Sequence, residues 1–152
     1  MTVAITSDLV GQILRDAAAT PQAEVCGLLF GTATAITAIQ PCRNVAADPA
    51  CWFEIDPAAL IAAHRAQRSG GPAIVGHYHS HPNGDPRPSP RDAASAAPDG
   101  ALWLIAAGGV LRGWRAGAGG AVEGRFDPVA LGDDPCAPEP ARPHRSSLFR
   151  GT

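Results

Sequence analysis

Three residues near the middle of the chain have the types and spacing to hold a metal ion. His79 and His81 stand two apart at the end of AIVGHYHSH (Ala73 to His81), and Asp92 follows after ten intervening residues. Alternate residues of a strand share one face, so both imidazoles emerge together, with α-carbons about 6.6 Å apart at about 3.3 Å per residue. Two imidazoles at that separation can converge on one ion at about 2.0–2.1 Å. The loop NGDPRPSP can return the chain over the strand end, delivering Asp92 as a hard oxygen ligand. Two histidines and one carboxylate leave a fourth position for water, the arrangement of a catalytic rather than a structural zinc site.

Hydrolysis at such a site needs a group that takes a proton from water and passes it to the leaving amine. Glu24, at the mouth of EVCGLLFG, is the candidate for this catalytic role. Ser89 is the candidate hydroxyl donor to the tetrahedral oxyanion; losing such a donor can cost about 2.7–4 kcal/mol. Each of these residues also has a plainer reading. H-x-H alone is a weak signal, Ser89 and Asp92 suffice as a helix capping box, and Glu24 alone reads as a solvated charge. Taken jointly, those plainer readings fail.

The joint pattern of a glutamate, then H-x-H, ten residues, an aspartate, and a serine three positions before it resembles the JAMM motif of MPN+ metalloproteases. It stands here as Glu24, His79-Ser80-His81-Pro82, Ser89 and Asp92. The flanks EVCGLLFG and NVAADPACWFEIDP (Asn44 to Pro57) resemble bacterial members, and the likeness covers roughly Thr2 to Leu131. The resemblance implies one Zn²⁺ per chain on His79, His81 and Asp92, with Glu24 as acid/base and Ser89 steadying the oxyanion. It further implies cleavage of a peptide or isopeptide bond at the C-terminus of a ubiquitin-like or sulfur-carrier protein. On the same likeness, a flexible Gly-Gly tail would add as a strand beside the sheet edge at the site. The rival within the family is a non-catalytic MPN protein-interaction module. A zinc deaminase would need H-x-E and a later PCxxC, and neither is present.

The elements that must position these residues follow from pattern. Ser7 and Asp8 start a helix in which Leu9, Val10, Ile13, Leu14 and Ala17 recur at helical spacing. Val25–Gly31 and Thr34–Gln40 read as strands, and Trp52–Ile55 as a short one. Asp56 caps and Pro57 opens a second helix running to about Ser69. Ser89 and Pro90 open a short third helix, and Ala101–Ala107, Gly109–Ala116 and Ala121–Phe126 read as closing strands. The order predicts an α/β (α+β) domain with a mixed β-sheet flanked by two main helices, similar in architecture to the cytidine-deaminase-like fold. The boundaries expected are residues 1–131 for the domain and 132–152 for a Pro/Arg-rich tail.

Composition narrows the setting. The 152-residue chain has a formal net charge of -2 and 45% hydrophobic residues, so nucleic acid is not its expected partner. All its positive side chains are arginine. No cationic leader opens the chain, and Ala101–Leu111 is too short for a bilayer, so the expected address is cytoplasmic with no membrane partner. Four cysteines, Cys26, Cys42, Cys51 and Cys136, form no CxxC motif and read as buried small hydrophobes. Cys26 shares the strand face of Glu24 by alternation, and Cys42 with Cys51 brackets a loop whose ends could pair on oxidation. His77 shares the face of His79 but lies too far from His81 for one tetrahedral ion; it is left as a neighbouring, substrate-facing or packing residue.

Overall fold

The computed structural model describes residues 1–133; residues 134–152, with Cys136, His144 and nearly all of the expected tail, lie outside the described residues. Chain order is β1 (Thr2–Ala4), α1 (Ser7–Ala19), β2 (Cys26–Thr32), β3 (Ala35–Cys42) and α2 (Pro57–Arg68). There follow β4 (Ile74–Ser80), α3 (Pro90–Ser95), β5 (Leu102–Ala107), β6 (Val110–Gly120) and β7 (Gly124–Gly132). The seven strands form one mixed sheet in the order β1-β3-β2-β4-β5-β6-β7, closed into a barrel because β1 also pairs with β7. The β4–β5 and β1–β7 pairs are parallel, while β2 is antiparallel to both β3 and β4.

The period of two divides each central strand between two helical layers. Leu29 of β2 packs with Ile13, Leu9, Val10 and Leu14 of α1, while Leu28 and Phe30 meet Ala63 and Leu60 of α2. Covered on both faces, β2 has no exposed position from Cys26 to Phe30 and reads as an unbroken apolar run. On β4, Tyr78 points toward α1, where its hydroxyl donates to Asp16 Oδ2 at 2.9 Å. The opposite face of β4 carries His77 and His79, set beside Trp103 and Ile105 of β5 by the strand register. Gly27 is required where it stands: a Cβ there would run into the Tyr78 ring and the Gln40 carbonyl.

Local signals set the helix starts. Asp56 accepts from Ala58 N–H with Pro57 in the first turn, and Ser89 caps α3 with Pro90 behind it. At α1 the cap is Thr6, whose hydroxyl accepts from Leu9 N–H, one residue earlier than Ser7-Asp8 suggested. Trp52–Ile55 does not form a strand. Only one bridge, Asn44 to Ile55, joins it to another segment, because those residues serve as one side of a loop across the sheet mouth. β1 carries no sequence signal for its length of three residues. No helix among the described residues is long and apolar enough to cross a membrane.

Candidate metal centre

Four side chains from three parts of the fold meet at the C-terminal end of β4. His79 is the penultimate residue of that strand and is fully buried; His81, just beyond it, is kept in the sheet by its N–H donating to Ala106 O at 2.9 Å. Asp92 is supplied by the first turn of α3 and is 1% exposed. Glu24 stands just before β2 and is 5% exposed. The Nε2 atoms of His79 and His81 are 3.1 Å apart. Asp92 Oδ1 lies 3.4 Å from His79 Nε2, and its Oδ2 lies 3.2 Å from His81 Nε2.

These distances are a test of whether the residues suit an ion. Donors about 2.0–2.1 Å from a tetrahedral zinc lie about 3.3–3.4 Å from one another. The Nε2–Nε2 separation falls just inside that edge length, and each imidazole has a different Asp92 oxygen at that range. Two imidazole nitrogens facing each other at 3.1 Å need a shared proton or a cation between them. The donor set, two imidazoles and a carboxylate with a second carboxylate adjoining, is that of zinc rather than of a soft thiolate site. Glu24 Oε1 is buried without a hydrogen-bond partner, 4.0 Å from His81 Nε2. Glu24, His79 and His81 also form a group with donor atoms within 4.8 Å of one another. Of the two carboxylates, Asp92 is nearer both imidazoles, and Glu24 also lines the cleft.

Neighbours orient the imidazoles. His81 Nδ1 lies 2.8 Å from Asp85 O, so it carries the proton and turns the Nε2 lone pair toward His79 and Asp92. Phe53 stacks on His79 with centroids 4.3 Å apart and planes 18° from parallel. His77 packs edge-on against Trp103 at 4.1 Å and beside Phe53 at 5.2 Å. Its Nδ1 is buried without a partner, and burial pushes its pKa down to about 3, so it is a neutral neighbour of the quartet.

The two carboxylates are driven apart. Burial would raise Asp92, but hydrogen bonds from His79, His81 and the Ser89 N–H outweigh it and hold the carboxyl far below its usual range. Burial pushes Glu24 up to about 7; Asp92 adds to the rise, while His81 and Arg91 oppose it. One carboxylate is therefore fixed as an anion, and the other is poised to gain and lose a proton near neutrality. His79 is lowered by burial despite Asp92, whereas His81 is raised because Asp92 and the Asp85 carbonyl outweigh its burial.

Ser89 holds two positions in this arrangement. Its Oγ accepts from Asp92 N–H at 3.0 Å while its N–H donates to Asp92 Oδ2 at 2.9 Å, so the capping box also aims the aspartate. The hydroxyl proton is left free, and Ser89 lines a cleft of about 250 Å³ with Glu24, Ala50, Cys51, His81, Pro82 and Asn83. Cys51 is exposed on that rim. Cys26 is buried, opposite His79 on one side and opposite Cys42 on the other. The cysteine facing Cys42 is thus Cys26, across a strand pair, and not Cys51; all three are free thiols. Cys51 departs from the expectation of buried cysteines because it sits at the tip of the loop across the mouth. Trp103 and Trp114 are buried core, while half-buried Trp52 carries the Arg91 guanidinium 4.6 Å from its ring centroid.

A mixed α/β barrel with this histidine–carboxylate quartet at its mouth is a domain built around a prospective metal centre. The family described as prokaryotic homologs of the JAB domain matches residues 6–117, and the chain belongs to it. It is similar to a desampylase of Haloferax volcanii, 45% identical over 91 residues, covering 59% of this chain and 66% of that protein. It is 41% identical over 56 residues to a probable TtuB-protein conjugate cleaving protease of Thermus thermophilus, covering 37% of this chain and 38% of the other. These matches span just under two thirds, and well under half, of the relatives' own lengths. Its fold is also that of a JAB1/MPN domain protein from Archaeoglobus fulgidus, with TM-score 0.55 and 18% identity over 86% of this chain and 98% of that one.

Proposed function

We propose that this chain is a zinc-dependent JAMM-type metallopeptidase, with residues 1–131 as its catalytic domain. In this reading His79, His81 and Asp92 hold one Zn²⁺, Glu24 is the general acid/base, and Ser89 is the oxyanion donor. The observation that carries it is the convergence of His79 Nε2, His81 Nε2 and the Asp92 carboxylate within 3.1–3.4 Å, with an ionisable Glu24 beside them. Zinc bound there supplies a Lewis acid that acidifies water and polarises a scissile carbonyl.

The rest is the work of the chain's own side chains. Asp92 remains anionic and, with the two neutral imidazoles, leaves one positive charge to be shared with the reacting atoms. Glu24 Oε1, free of other hydrogen bonds, accepts a proton from water and returns it to the leaving nitrogen. The free hydroxyl hydrogen of Ser89 reaches into the same cleft and donates to the oxygen on which negative charge develops. Phe53 and Trp103 exclude water from the back of the quartet, which strengthens each of these interactions.

The substrate in this reading is the C-terminus of a ubiquitin-like or sulfur-carrier protein, joined by a peptide or isopeptide bond. A conjugate-cleaving relative supports it. So does a second cleft of about 200 Å³ that meets the quartet at His81. Ala17, Ala18, Ala23, Ala106, Gly108 and Gly109 in its walls leave room for a chain of small residues. Strand addition beside β4 is not available, since β4 has β2 and β5 on its two sides. Among the described strands, edges are open on β3, which β1 pairs only at Ala35, and on β7 before Ala130.

The test uses zinc-loaded protein and C-terminally extended or lysine-linked ubiquitin-like carriers, with products weighed by mass spectrometry. The expected result is cleavage after the terminal glycines by the parent and none by Glu24→Gln, which keeps its zinc. A parent protein carrying one zinc that cleaves none of these carriers, but binds them, would favour the interaction module instead.

A further inference from the structure

The loop between β3 and α2 reaches every element of the metal centre. Its base is pinched shut by the Asn44–Ile55 bridge, by Val45 N–H to Glu54 O at 2.9 Å, and by Asp56 N–H to Arg43 O at 3.1 Å. Phe53 from this loop stacks on His79, and Trp52 carries Arg91 of α3, the neighbour of Asp92 in sequence. Glu24 depends on it most. Glu24 precedes β2, and its own N–H and C=O are held by this loop: the N–H donates to Pro49 O at 2.7 Å. Its carbonyl accepts from Asn44 Nδ2 at 2.9 Å.

Asn44 is a four-way hub. Nδ2 donates to Glu24 O and to Trp52 O, both at 2.9 Å, and Oδ1 accepts from Ala46 N–H and Glu54 N–H, both at 3.0 Å. That uses both donors and both lone pairs of the amide. No other side chain supplies two donors to one side and two lone pairs to the other at this reach, since glutamine carries the same amide one methylene further out. The two Oδ1 bonds and the Nδ2 bond to Trp52 O close the loop on itself, because Ala46, Trp52, Glu54 and Asn44 all belong to it. The Nδ2 bond to Glu24, twenty residues away in sequence, fixes something outside the loop.

Building on the proposed role of Glu24 as acid/base, we infer that Asn44 is a positioning residue for that glutamate. It clamps the Glu24 backbone so that Oε1 faces His81 and the cleft. It touches neither substrate nor metal. A catalytic group displaced by about 1 Å can lose about 100-fold in rate, so the clamp acts on turnover rather than on affinity for the ion.

Asn44→Asp separates the two halves of the amide. It keeps both acceptor bonds that close the loop, and replaces the donor by an oxygen facing the Glu24 and Trp52 carbonyls. The expected result is a fall in kcat of about tenfold or more, with KM and zinc stoichiometry unchanged within about twofold. Asn44→Gln, which displaces the intact amide by one methylene and adds no charge, gives the same split if the Asp variant fails to fold. A kcat within about twofold of the parent in a folded, zinc-loaded Asn44→Asp or Asn44→Gln protein overturns the inference. So does a loss that appears only together with loss of zinc. Full activity of Glu24→Gln would instead remove the proposed role of Glu24, and that outcome is read from the single variant before Asn44 is touched.

Discussion

The ring of Phe53 lies nearly flat on the imidazole of His79, 4.3 Å between centroids. One side of the pair is a loop residue with no ionisable group, the other a fully buried candidate ligand. Stacking fixes the plane of His79 where its Nδ1 has no hydrogen-bond partner to do so. Phe53→Leu keeps the site apolar but removes the flat contact. Zinc affinity is expected to fall about tenfold, the scale seen when groups that orient a ligand are lost. Competition with a chromophoric chelator measures it, and unchanged affinity would show that His79 holds its plane unaided.

Burial of Glu24 makes a prediction for the metal-free protein. Its folded pKa is pushed up to about 7 from an ordinary 4.5, so the folded state holds that proton more tightly than the unfolded chain does. The contribution to stability is therefore fully favourable below about pH 4.5, declines as pH rises toward 7, and is lost above it. Glu24→Gln removes the ionisation. In chelator at pH 8, the variant should be more stable than the parent by on the order of 1–3 kcal/mol. At pH 4.5 the difference should vanish. Thermal melts at the two pH values settle it; a variant less stable at pH 8 would mean that the carboxylate is stabilised in place.

Ser89 has separable duties, which makes its substitution informative. Ser89→Ala removes the hydroxyl that caps α3, expected to cost about 1 kcal/mol of stability. It also removes the donor proposed for the oxyanion, expected to lower kcat about 100-fold with little change in KM. Ser89→Thr retains a hydroxyl and should recover the stability. Steady-state kinetics beside thermal melts read both effects. A rise in KM at constant kcat would assign Ser89 to substrate binding instead.

Gly27 is a packing requirement set by Tyr78, the neighbour of His79 on the adjoining strand. A methyl there meets the Tyr78 ring, which is itself anchored to Asp16 of α1. Since Tyr78 is fully buried and cannot swing aside, Gly27→Ala should cost about 3 kcal/mol, at the upper end for overpacking. The melting temperature should drop by roughly 10 °C or more. A loss below about 1 kcal/mol in chemical denaturation would show that β2 and β4 can shift apart.

Local chemistry made much of this legible from sequence. Asp56-Pro57 and Ser89-Pro90 announce helix starts because capping needs only neighbours three residues away. His79 and His81 share a face because strand periodicity is local too, and the structure brings both against Asp92. What was hidden depends on partners distant in sequence. Three residues of β1 carry no pattern, yet they join β7 and close the sheet. Trp52–Ile55 has strand composition, but its bonding partners are loop backbone and side chains of the site rather than a neighbouring strand. Asn44 enters the sequence reading only as the first residue of a flanking segment, since its reach to Glu24 cannot be read from spacing.

The seam between Thr2–Ala4 and residues 130–132 has a consequence for how the molecule assembles. Everything from Glu24 to Asp92 can leave the ribosome, and the quartet's own segments can begin to gather, before the hoop has its second end. Contacts of such long sequence separation form slowly. The seam should therefore be a late step of folding.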